Sequence, residues 1–534
     1  MAWRHEQAQQ RIRKLIGEVP KIEVRRFADE YMSLYEARKA ELRAAKEPVS
    51  PPLFNLGKGS AVRVDTVQIY IGITNYDDYR IDEGRETEAS HERALRFLHL
   101  YYSACDRVVE QSPAQRVDFH GSRMHAVVLD QSGAGVTPEL IAESFAFVRD
   151  FRAVAERANA ELAKSELSAR FRIGIDAGPC VAINNGTGLE QEPMFLGSAA
   201  NHAAKLAEGD QPGVFISDRV RGLLNLPKLG IYEDVRSLDD AFFNQMVARR
   251  DEAILAGLIA TESVRDPEVL IGAWREEIRT KSVPDPTTPR FTFHHKEPPL
   301  RGIKYADLAP SNSIRMPLVS MFADLSGYTA YIDDAIANHG IADAVRALYV
   351  IREELQNVVE KDFGGRKVRF IGDCIHALLA EGNESETDDR QTVIQGFACA
   401  GGLHSSFKIC RRELTNLDAL GLAIGVEYGP TPISRIGIRG QRSVRIASSV
   451  ATATSEKMQQ ECESDVIKFG PVAMALIPTS LDDLIDASGV ALGVNYDDVI
   501  TSLSSQEASS PAPVYARAHA PAASSVSRAH FRKA

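Results

Sequence analysis

The sequence lacks the features that mark several large classes of protein. Its six cysteines are scattered, with no CxxC pair and no His/Cys cluster, which excludes a disulfide framework and the common zinc motifs and is typical of a reducing compartment. No apolar run reaches the length of about eighteen residues that a membrane-spanning helix needs, and no signal-peptide pattern is present. Acidic residues outnumber basic ones by 73 to 62, and this net negative charge argues against a nucleic-acid binder. We therefore expect a cytoplasmic protein with no membrane span and no nucleic-acid partner.

The composition that remains is that of an ordinary globular chain. Hydrophobic residues make up 44% and charged residues 25% of the 534 residues. At about 150 residues per domain, this length predicts roughly three domains. Residues 1–55 have a helical pattern of apolar positions closed by a Pro-Pro pair, and they are expected to form a packed N-terminal helical element. Residues 521–534 follow a Ser-, Ala- and Pro-rich stretch and are expected to be a disordered tail.

Two segments of the second half each place an aspartate at the end of a predicted strand or hairpin, where the edge of a sheet can form a cleft. Residues 322–329, Phe-Ala-Asp-Leu-Ser-Gly-Tyr-Thr, follow an apolar run that predicts a buried strand, with Asp324 at its carboxyl end. In residues 367–379 two apolar runs flank a Gly-Asp turn, which predicts a hairpin with Asp373 at its tip. Alone, each aspartate is also typical of ordinary turn chemistry. Together they form a pair that can hold two divalent cations on a triphosphate.

These two segments and residues 421–430, Gly-Leu-Ala-Ile-Gly-Val-Glu-Tyr-Gly-Pro, resemble in order the signature segments of class III nucleotidyl cyclases. The resemblance implies α/β domains of the ferredoxin-like, palm-type class (an α+β sandwich), each with an antiparallel-rich sheet flanked by helices. It implies that Asp324 and Asp373 bind two Mn²⁺ or Mg²⁺ ions, with the backbone carbonyl of Leu325 as a further ligand. The implied reaction is attack of the ribose 3′-oxygen on the α-phosphorus, with pyrophosphate as the leaving group.

The first half of the chain carries a weaker copy of the same pattern. Four segments match at an offset of 251 or 252 residues: 70–76 with 322–328, 117–126 with 368–377, 171–179 with 422–430, and 213–216 with 465–468. Such constant spacing predicts an internal duplication. We therefore expect two tandem domains, at 60–305 and 314–520, that pack head to tail as an intramolecular pseudo-heterodimer within a monomer.

The two copies differ at the metal positions. The first copy has Gly72 and Ser122 where the second has Asp324 and Asp373. Glycine and serine do not hold a divalent cation as a carboxylate does. The domain at 314–520 is therefore expected to supply the metal-binding half of a site, and the domain at 60–305 to be degenerate in this respect.

The other catalytic segment of the resembled family shows the opposite loss. In that family an Asn orients the ribose and an Arg stabilises charge on the transferred phosphate, and both come from the partner domain. The first copy has Asn201 and Lys205, four residues apart and so on one face of a helix, whereas the second copy has Ala451 and Ser455. We therefore expect one composite site and one dead counterpart. Lysine keeps the charge of the arginine without its planar fork, and the two residues also fit a helix cap and a surface lysine.

The remaining family positions concern the phosphates and the base. Arg439 aligns with an arginine that holds the β- and γ-phosphates, and it fits an ordinary loop arginine equally well. Adenylate cyclases of the family read adenine with a Lys three residues before the hairpin glycine and an Asp seven before the Asn. These positions are Asp118 and Met194 here; the first cannot donate to adenine N1 and the second cannot accept from the 6-amino group.

The absence of the purine code and the tandem build resemble the pyrimidine cyclases of the bacterial Pycsar anti-phage system. Those enzymes make cyclic UMP or cyclic CMP, which a separate effector protein reads. Asp118 can accept a hydrogen bond from uracil N3–H or from the cytosine amino group, so both UTP and CTP remain possible substrates, with UTP favoured. An adenylate cyclase and a nucleotide-sensing pseudoenzyme are the alternatives.

Overall fold

The computed structural model describes residues 2–161, 169–184, 192–230, 236–257, 266–281, 291–437 and 443–507. The expected disordered tail at 521–534 lies outside these residues. Within the described ranges, no helix combines the length and the apolar character needed to cross a membrane.

The first half of the chain forms a seven-stranded sheet. Its strands are β1 (Glu23–Arg26), β2 (Ser60–Ile73), β3 (Gln115–His120), β4 (Arg123–Leu129), β5 (Phe171–Asn184), β6 (Pro193–Leu196) and β7 (Gly213–Ile216). Its order is β3-β4-β2-β5-β6, with all these neighbours antiparallel, while β1 runs parallel to β2 and β7 parallel to β5. The helices of this half are α1 (His5–Glu18), α2 (Met32–Ala44), α3 (Asp77–Arg80), α4 (Glu88–Glu110), α5 (Pro138–Glu161), α6 (Ser198–Leu206), α7 (Asp218–Leu223), α8 (Asp240–Leu255) and α9 (Pro267–Lys281).

The second half forms an eight-stranded sheet with the same core topology. Its strands are β8 (Phe293–His294), β9 (Ser313–Ser326), β10 (Arg366–Ile371), β11 (Cys374–Leu379), β12 (Gly421–Ile436), β13 (Val444–Ala447), β14 (Val466–Phe469) and β15 (Val490–Leu492). The order is β10-β11-β9-β12-β14-β15, with β13 on β12 and β8 on β9. The helices are α10 (Tyr328–Ala337), α11 (Ile341–Asn357), α12 (Asp389–Glu413), α13 (Val450–Gln460), α14 (Pro471–Leu476) and α15 (Tyr496–Glu507). Short π or 3₁₀ turns lie at Phe27–Tyr31, Leu300–Gly302, Tyr305–Asp307, Val358–Asp362 and Thr479–Leu484. The predicted pair of α/β domains with antiparallel-rich sheets is confirmed.

The duplication extends to side-chain packing at the centre of each sheet. Tyr70 stacks on His125 with ring centroids 4.0 Å apart, and Phe322 stacks on His376 at 4.2 Å. Both stacks join the central strand, β2 or β9, to the second strand of the adjacent hairpin. Because the same pair of positions packs in the same way twice, the two domains are structural copies.

Each domain contributes one short strand, β6 or β13, to the hydrophobic core of the other domain. Met194 and Leu196 on β6 belong to the hydrophobic cluster built mainly by the second domain. Val444 and Ile446 on β13 belong to the cluster built mainly by the first. Because this packing of β6 and β13 is reciprocal, the residues at the domain boundary come from both halves of the chain.

The N-terminal segment contacts both domains. Helix α1 packs on the second domain, where Arg11 pairs with Glu354 at 2.6 Å and Trp3 donates to Ser406 at 2.8 Å. Strand β1 then joins the first sheet beside β2. The segment therefore consists of two helices, α1 and α2, and of a strand that the sequence pattern did not predict.

The connection between the domains differs from the expected boundary. Strand β8 pairs with β9, so the second sheet begins before residue 314. Leu300, Ile303 and Tyr305 pack against core residues of β9 and β10. Residues 300–305 therefore belong to the second domain, because their apolar side chains find their partners there.

Candidate active site

The strand and the hairpin that lead into the site place two carboxylates side by side. Asp324 lies near the end of β9, and Asp373 occupies the turn between β10 and β11. Strands β9 and β11 are antiparallel neighbours with Ala323 opposite Ile375, so the strand end meets the hairpin tip. Gly372 has φ +61°, a left-handed conformation that glycine adopts readily and that makes the tight turn possible.

The two carboxylates share one small environment. Burial raises the pKa of Asp324 to about 6, although a hydrogen bond with Asp373 and one from the Leu325 backbone amide oppose the rise. Burial, and then the charge of Asp324, raise the pKa of Asp373 well above its ordinary value. Without a cation, burial of both groups, together with the charge of Asp324 acting on Asp373, therefore favours protonation of the pair.

Such a donor set fits a divalent cation. Two half-buried carboxylates carry charge that a cation neutralises, and hard cations prefer oxygen ligands. Within the described ranges, no group of three or more His, Cys, Asp or Glu side chains is placed to hold a metal, so a cation held here would have two side-chain carboxylates as ligands. The Leu325 backbone amide lies beside both carboxylates, and ligation by the Leu325 carbonyl stays a prediction.

Helix α6 of the first domain brings Asn201 to this edge. The Asn201 amide donates a hydrogen bond to the Thr329 hydroxyl on α10, and the Ser198 backbone amide donates to Asp333 at 3.0 Å. Helix α10 begins directly after the β9 strand that carries Asp324, with a glycine as its N-cap at φ +82°. Asn201 of the first domain thus lies at the junction of β9 and α10 in the second domain, where Asp324 also lies.

Lys205 lies one turn beyond Asn201 on α6. Its side chain is exposed, and its positive charge favours the ionised form of Asp324 and so lowers the pKa of that carboxyl. Lys205 therefore lies close enough to Asp324 for an electrostatic interaction.

A further contact to Asp324 was not predicted. The amide of Gln459 on α13 donates a hydrogen bond to Asp324 at 3.5 Å. A glutamine in a polar helix gives no signal of such a contact.

The predicted phosphate contact Arg439 falls in a gap of the described residues, which end at 437 and resume at 443. Its role therefore rests on the family resemblance alone.

The two predicted base positions line one cavity of 140 Å³ between the domains. Asp118 is on its wall with a side chain that is 37% exposed, and Met194 is on its wall but 5% exposed. Asp118 accepts a hydrogen bond from Arg369 at 2.5 Å, and the Met194 sulfur contacts the buried Arg352 guanidinium. Neither interaction was anticipated.

A buried ionic cluster lies beside these base positions. Glu192 of the first domain accepts from Lys367 at 3.2 Å and from Arg445 at 2.9 Å, and Arg352 lies 3.6 Å away. Burial alone would raise the pKa of Glu192, but the three cations together lower it to about 2. The sequence held one signal for this cluster, which is the offset of 251 residues between the two copies. This offset maps Met194 onto Arg445, so it indicates that Arg445 also lies beside the base positions.

An ion pair lies at the site that corresponds to the candidate active site when the two domains exchange roles. Arg123 pairs with Glu456 at 3.0 Å, and His120 lies 3.4 Å from the same carboxylate. Burial opposes ionisation, but Arg123 and His120 hold the pKa of Glu456 at about 2. Ser122, the counterpart of Asp373, lines a separate 220 Å³ cavity with these three residues.

The packing of α6 and α13 corrects one alignment. A Cβ on Gly174 would lie 2.1 Å from the Ala203 carbonyl oxygen, and a Cβ on Gly425 would lie 2.0 Å from that of Ser455. The two helices therefore correspond at an offset of 252 residues. The expected counterparts of the asparagine and the lysine on α6 were wrong by two residues: they are Ala453 and Lys457, and not Ala451 and Ser455.

Three comparisons relate the chain to known proteins. No protein-family model matches the sequence. A protein of a Rhizobium species named uridylate cyclase is 42% identical over 93% of this chain and 95% of its own length. A Pseudomonas aeruginosa protein of the same name is 32% identical over 94% of this chain and 91% of its own. The crystal structure of a class III adenylyl cyclase-like ATP-binding protein from Pseudomonas aeruginosa superposes with a TM-score of 0.80 at 30% identity, covering 94% of this chain and all of that one.

Proposed function

The chain belongs to the uridylate cyclase family of class III nucleotidyl cyclases, and we propose that it converts UTP to 3′,5′-cyclic UMP and pyrophosphate at a single composite site. In this proposal the two domains act as an intramolecular pseudo-heterodimer, packed head to tail. The observation that carries it is the domain junction, where Asn201 of the first domain contacts Thr329, next to the strand end that holds Asp324 beside Asp373. A nucleoside triphosphate bound there would meet groups from both domains.

Each residue at the junction has a role in this reaction. Asp324, Asp373 and the Leu325 backbone carbonyl would hold two Mn²⁺ or Mg²⁺ ions. When bound, such ions acidify the ribose 3′-hydroxyl and neutralise the triphosphate. Asn201 would orient the ribose, and Lys205 would stabilise the charge that develops around the α-phosphorus. By the family resemblance, an arginine at position 439 would hold the β- and γ-phosphates.

The base positions favour a pyrimidine. Asp118 presents a carboxylate that only accepts hydrogen bonds, and Met194 presents no polar group for a 6-amino group. Both line the 140 Å³ cavity between the domains. The relatives at 42% and 32% identity are named uridylate cyclases, which supports UTP over CTP. The structural relative is described as ATP-binding, so ATP is the competing ligand to test.

The product would act as a messenger. By the family resemblance, we propose that a separate effector protein reads cyclic UMP in bacterial anti-phage defence. The cytoplasm is the compartment proposed for this reaction, since all six cysteines are free thiols, as expected in a reducing environment.

Product analysis tests the proposed function. The purified protein is incubated with Mn²⁺ and each of UTP, CTP, ATP and GTP, and products are identified by mass spectrometry. We expect cyclic UMP from UTP, and no cyclic product from the Asp373→Asn variant. Cyclic AMP as the main product would establish an adenylate cyclase instead. Nucleotide binding by the wild type without any cyclic product would establish a nucleotide-sensing pseudoenzyme.

A further inference from the structure

An ion pair crosses the domain boundary at the base end of the site. Arg369 on β10 donates through Nη1 to Asp118 Oδ1 at 2.5 Å and to the Phe119 carbonyl oxygen, and through Nη2 to the Arg445 carbonyl oxygen at 2.6 Å. The Arg369 side chain is 5% exposed, whereas the Asp118 side chain is 37% exposed. The arginine is therefore fixed by three acceptors, and the carboxylate that it holds remains open to the cavity.

The two partners occupy the same position in their respective domains. Asp118 lies three residues before Gly121, and Arg369 lies three residues before Gly372. Both hairpins carry a register shift just before this position, one ending at Asp118 and the other at Arg369. The duplicated hairpins therefore meet at the domain boundary through an acidic residue on one side and a basic residue on the other.

The Arg369–Asp118 pair forms part of the cavity wall and determines which Asp118 oxygen is open to a ligand. Arg369 and Asp118 both line the 140 Å³ cavity, which Tyr70 and Phe370 also line. Asp118 Oδ1 accepts from Arg369 and from the Phe119 backbone amide at 2.8 Å. Among the described residues no donor bonds to Oδ2, so this oxygen is available to a ligand. Arg369 lines the same cavity, so its side chain limits the space beside Asp118.

We propose that Arg369 is a positioning residue that makes the site selective for uracil. This inference rests on the proposed function and goes further by naming the source of the selectivity in the metal-binding domain. By fixing Asp118, the arginine directs Oδ2 at the N3–H donor of uracil. Cytosine has an unprotonated N3 at that place, so two acceptors would face each other. A purine needs room for a second ring, and in this proposal the Arg369 side chain on the cavity wall denies it that room.

Selectivity of binding tests the inference separately from turnover. The dissociation constants of 3′-deoxy-UTP, 3′-deoxy-CTP and 3′-deoxy-ATP, which lack the attacking hydroxyl, are measured by calorimetry with Mn²⁺ for the wild type and for Arg369→Ala. We expect the preference for the uridine over the adenosine nucleotide to fall at least tenfold in Arg369→Ala. Asp118→Asn, which puts an amide where the carboxylate stood, should reduce the preference for uridine over cytidine by a similar factor.

A matched variant separates selectivity from simple domain docking. Lys367→Met removes a neighbouring interdomain contact to Glu192 without touching Asp118. It should weaken the binding of all three nucleotides by one common factor and leave their ratios unchanged. If Arg369→Ala does not fold, Arg369→Lys tests the same ratios, since it keeps the charge and loses the fork that spans two acceptors.

The outcomes are distinct. An Arg369 variant that binds every nucleotide less tightly but with wild-type ratios would overturn the inference and leave the proposed function standing. A wild type that makes no cyclic UMP but shows uracil-selective binding lost in Arg369→Ala would refute the proposed function only. A wild type that binds the adenosine nucleotide best would overturn both.

Discussion

Replacing Asp373 by asparagine is expected to stabilise the metal-free protein while it removes the activity. Burial raises the pKa of Asp324 from 3.8 to about 6, and burial together with the charge of Asp324 raises that of Asp373 well above its ordinary value. At 1.36 kcal/mol for each pH unit, ionisation of Asp324 alone costs the fold about 3 kcal/mol. Asparagine removes the cost of ionising Asp373, and its amide can donate to Asp324.

The pH dependence has a definite sign. A carboxyl group whose pKa is higher in the folded than in the unfolded protein stabilises the fold below the unfolded value, and this contribution is lost as the pH rises through the folded value. The metal-free wild type should therefore lose stability relative to Asp373→Asn from about pH 4 upward, until the pH exceeds the raised pKa of Asp373. At pH 8 the variant should be more stable by about 1–3 kcal/mol, since relaxation of the pair reduces the full electrostatic cost.

Urea denaturation in EDTA at pH 5 and pH 8 measures the difference, and Asp483→Asn, at an exposed carboxylate, serves as the control. Addition of Mn²⁺ at pH 8 should reverse the order, because only the wild type gains the full binding energy of the cation. A variant that is less stable than the wild type in EDTA at pH 8, or a difference that does not change with pH, would refute this reasoning.

Three further predictions concern single substitutions, the first with a matched control. Asn201→Ala should lower kcat by a factor of about 10²–10³, which is the effect expected when one preorganised hydrogen-bond donor is lost, with little change in nucleotide affinity. Ala453→Ser, at the counterpart position of the second domain, should leave kcat near that of the wild type. Steady-state kinetics of the two variants measures the difference. Glu456→Gln should destabilise the fold by about 3 kcal/mol, because it removes the carboxylate that pairs with Arg123. An unchanged urea midpoint would contradict this. Arg11→Ala should cost about 3 kcal/mol, since it unpairs two carboxylates where α1 meets the second domain; proteolysis that releases no N-terminal fragment sooner than in the wild type would count against it.

The part of the site that local sequence determines was predictable. Asp324 lies near the end of a strand, directly after a continuous buried run, and Asp373 lies in a Gly-Asp turn between two apolar segments, so each position follows from short-range pattern. The presence of two sheets of the same topology followed from the constant spacing of the matched segments. These features need no knowledge of how the halves pack.

Contacts across the domain boundary were not predictable in the same way. Arg369 was an ordinary strand residue in the sequence, and its partner Asp118 lies 251 positions away. The dual attachment of the N-terminal segment was missed for the same reason, since α1 finds its partners in the second domain. Such pairs become visible only when the packing of the two domains is known.

The register of α13 shows a different limit. The spacing of the matched segments varied between 251 and 252, and the loops before α6 and α13 allowed the wrong alignment. The close approach of Gly425 to the Ser455 carbonyl oxygen fixes the helix on its sheet. Backbone proximity, which a sequence pattern does not contain, made this difference.

The most direct test of the central claim, one composite site formed within one chain, is a mixing experiment. Asp324→Ala and Asn201→Ala chains are purified separately, mixed in equal amounts, incubated with Mn²⁺ and UTP, and assayed for cyclic UMP. Each variant damages a different half of the same site, so the mixture should form no more product than the two variants assayed separately. Recovery of activity on mixing would show that halves are exchanged between chains and would contradict the account.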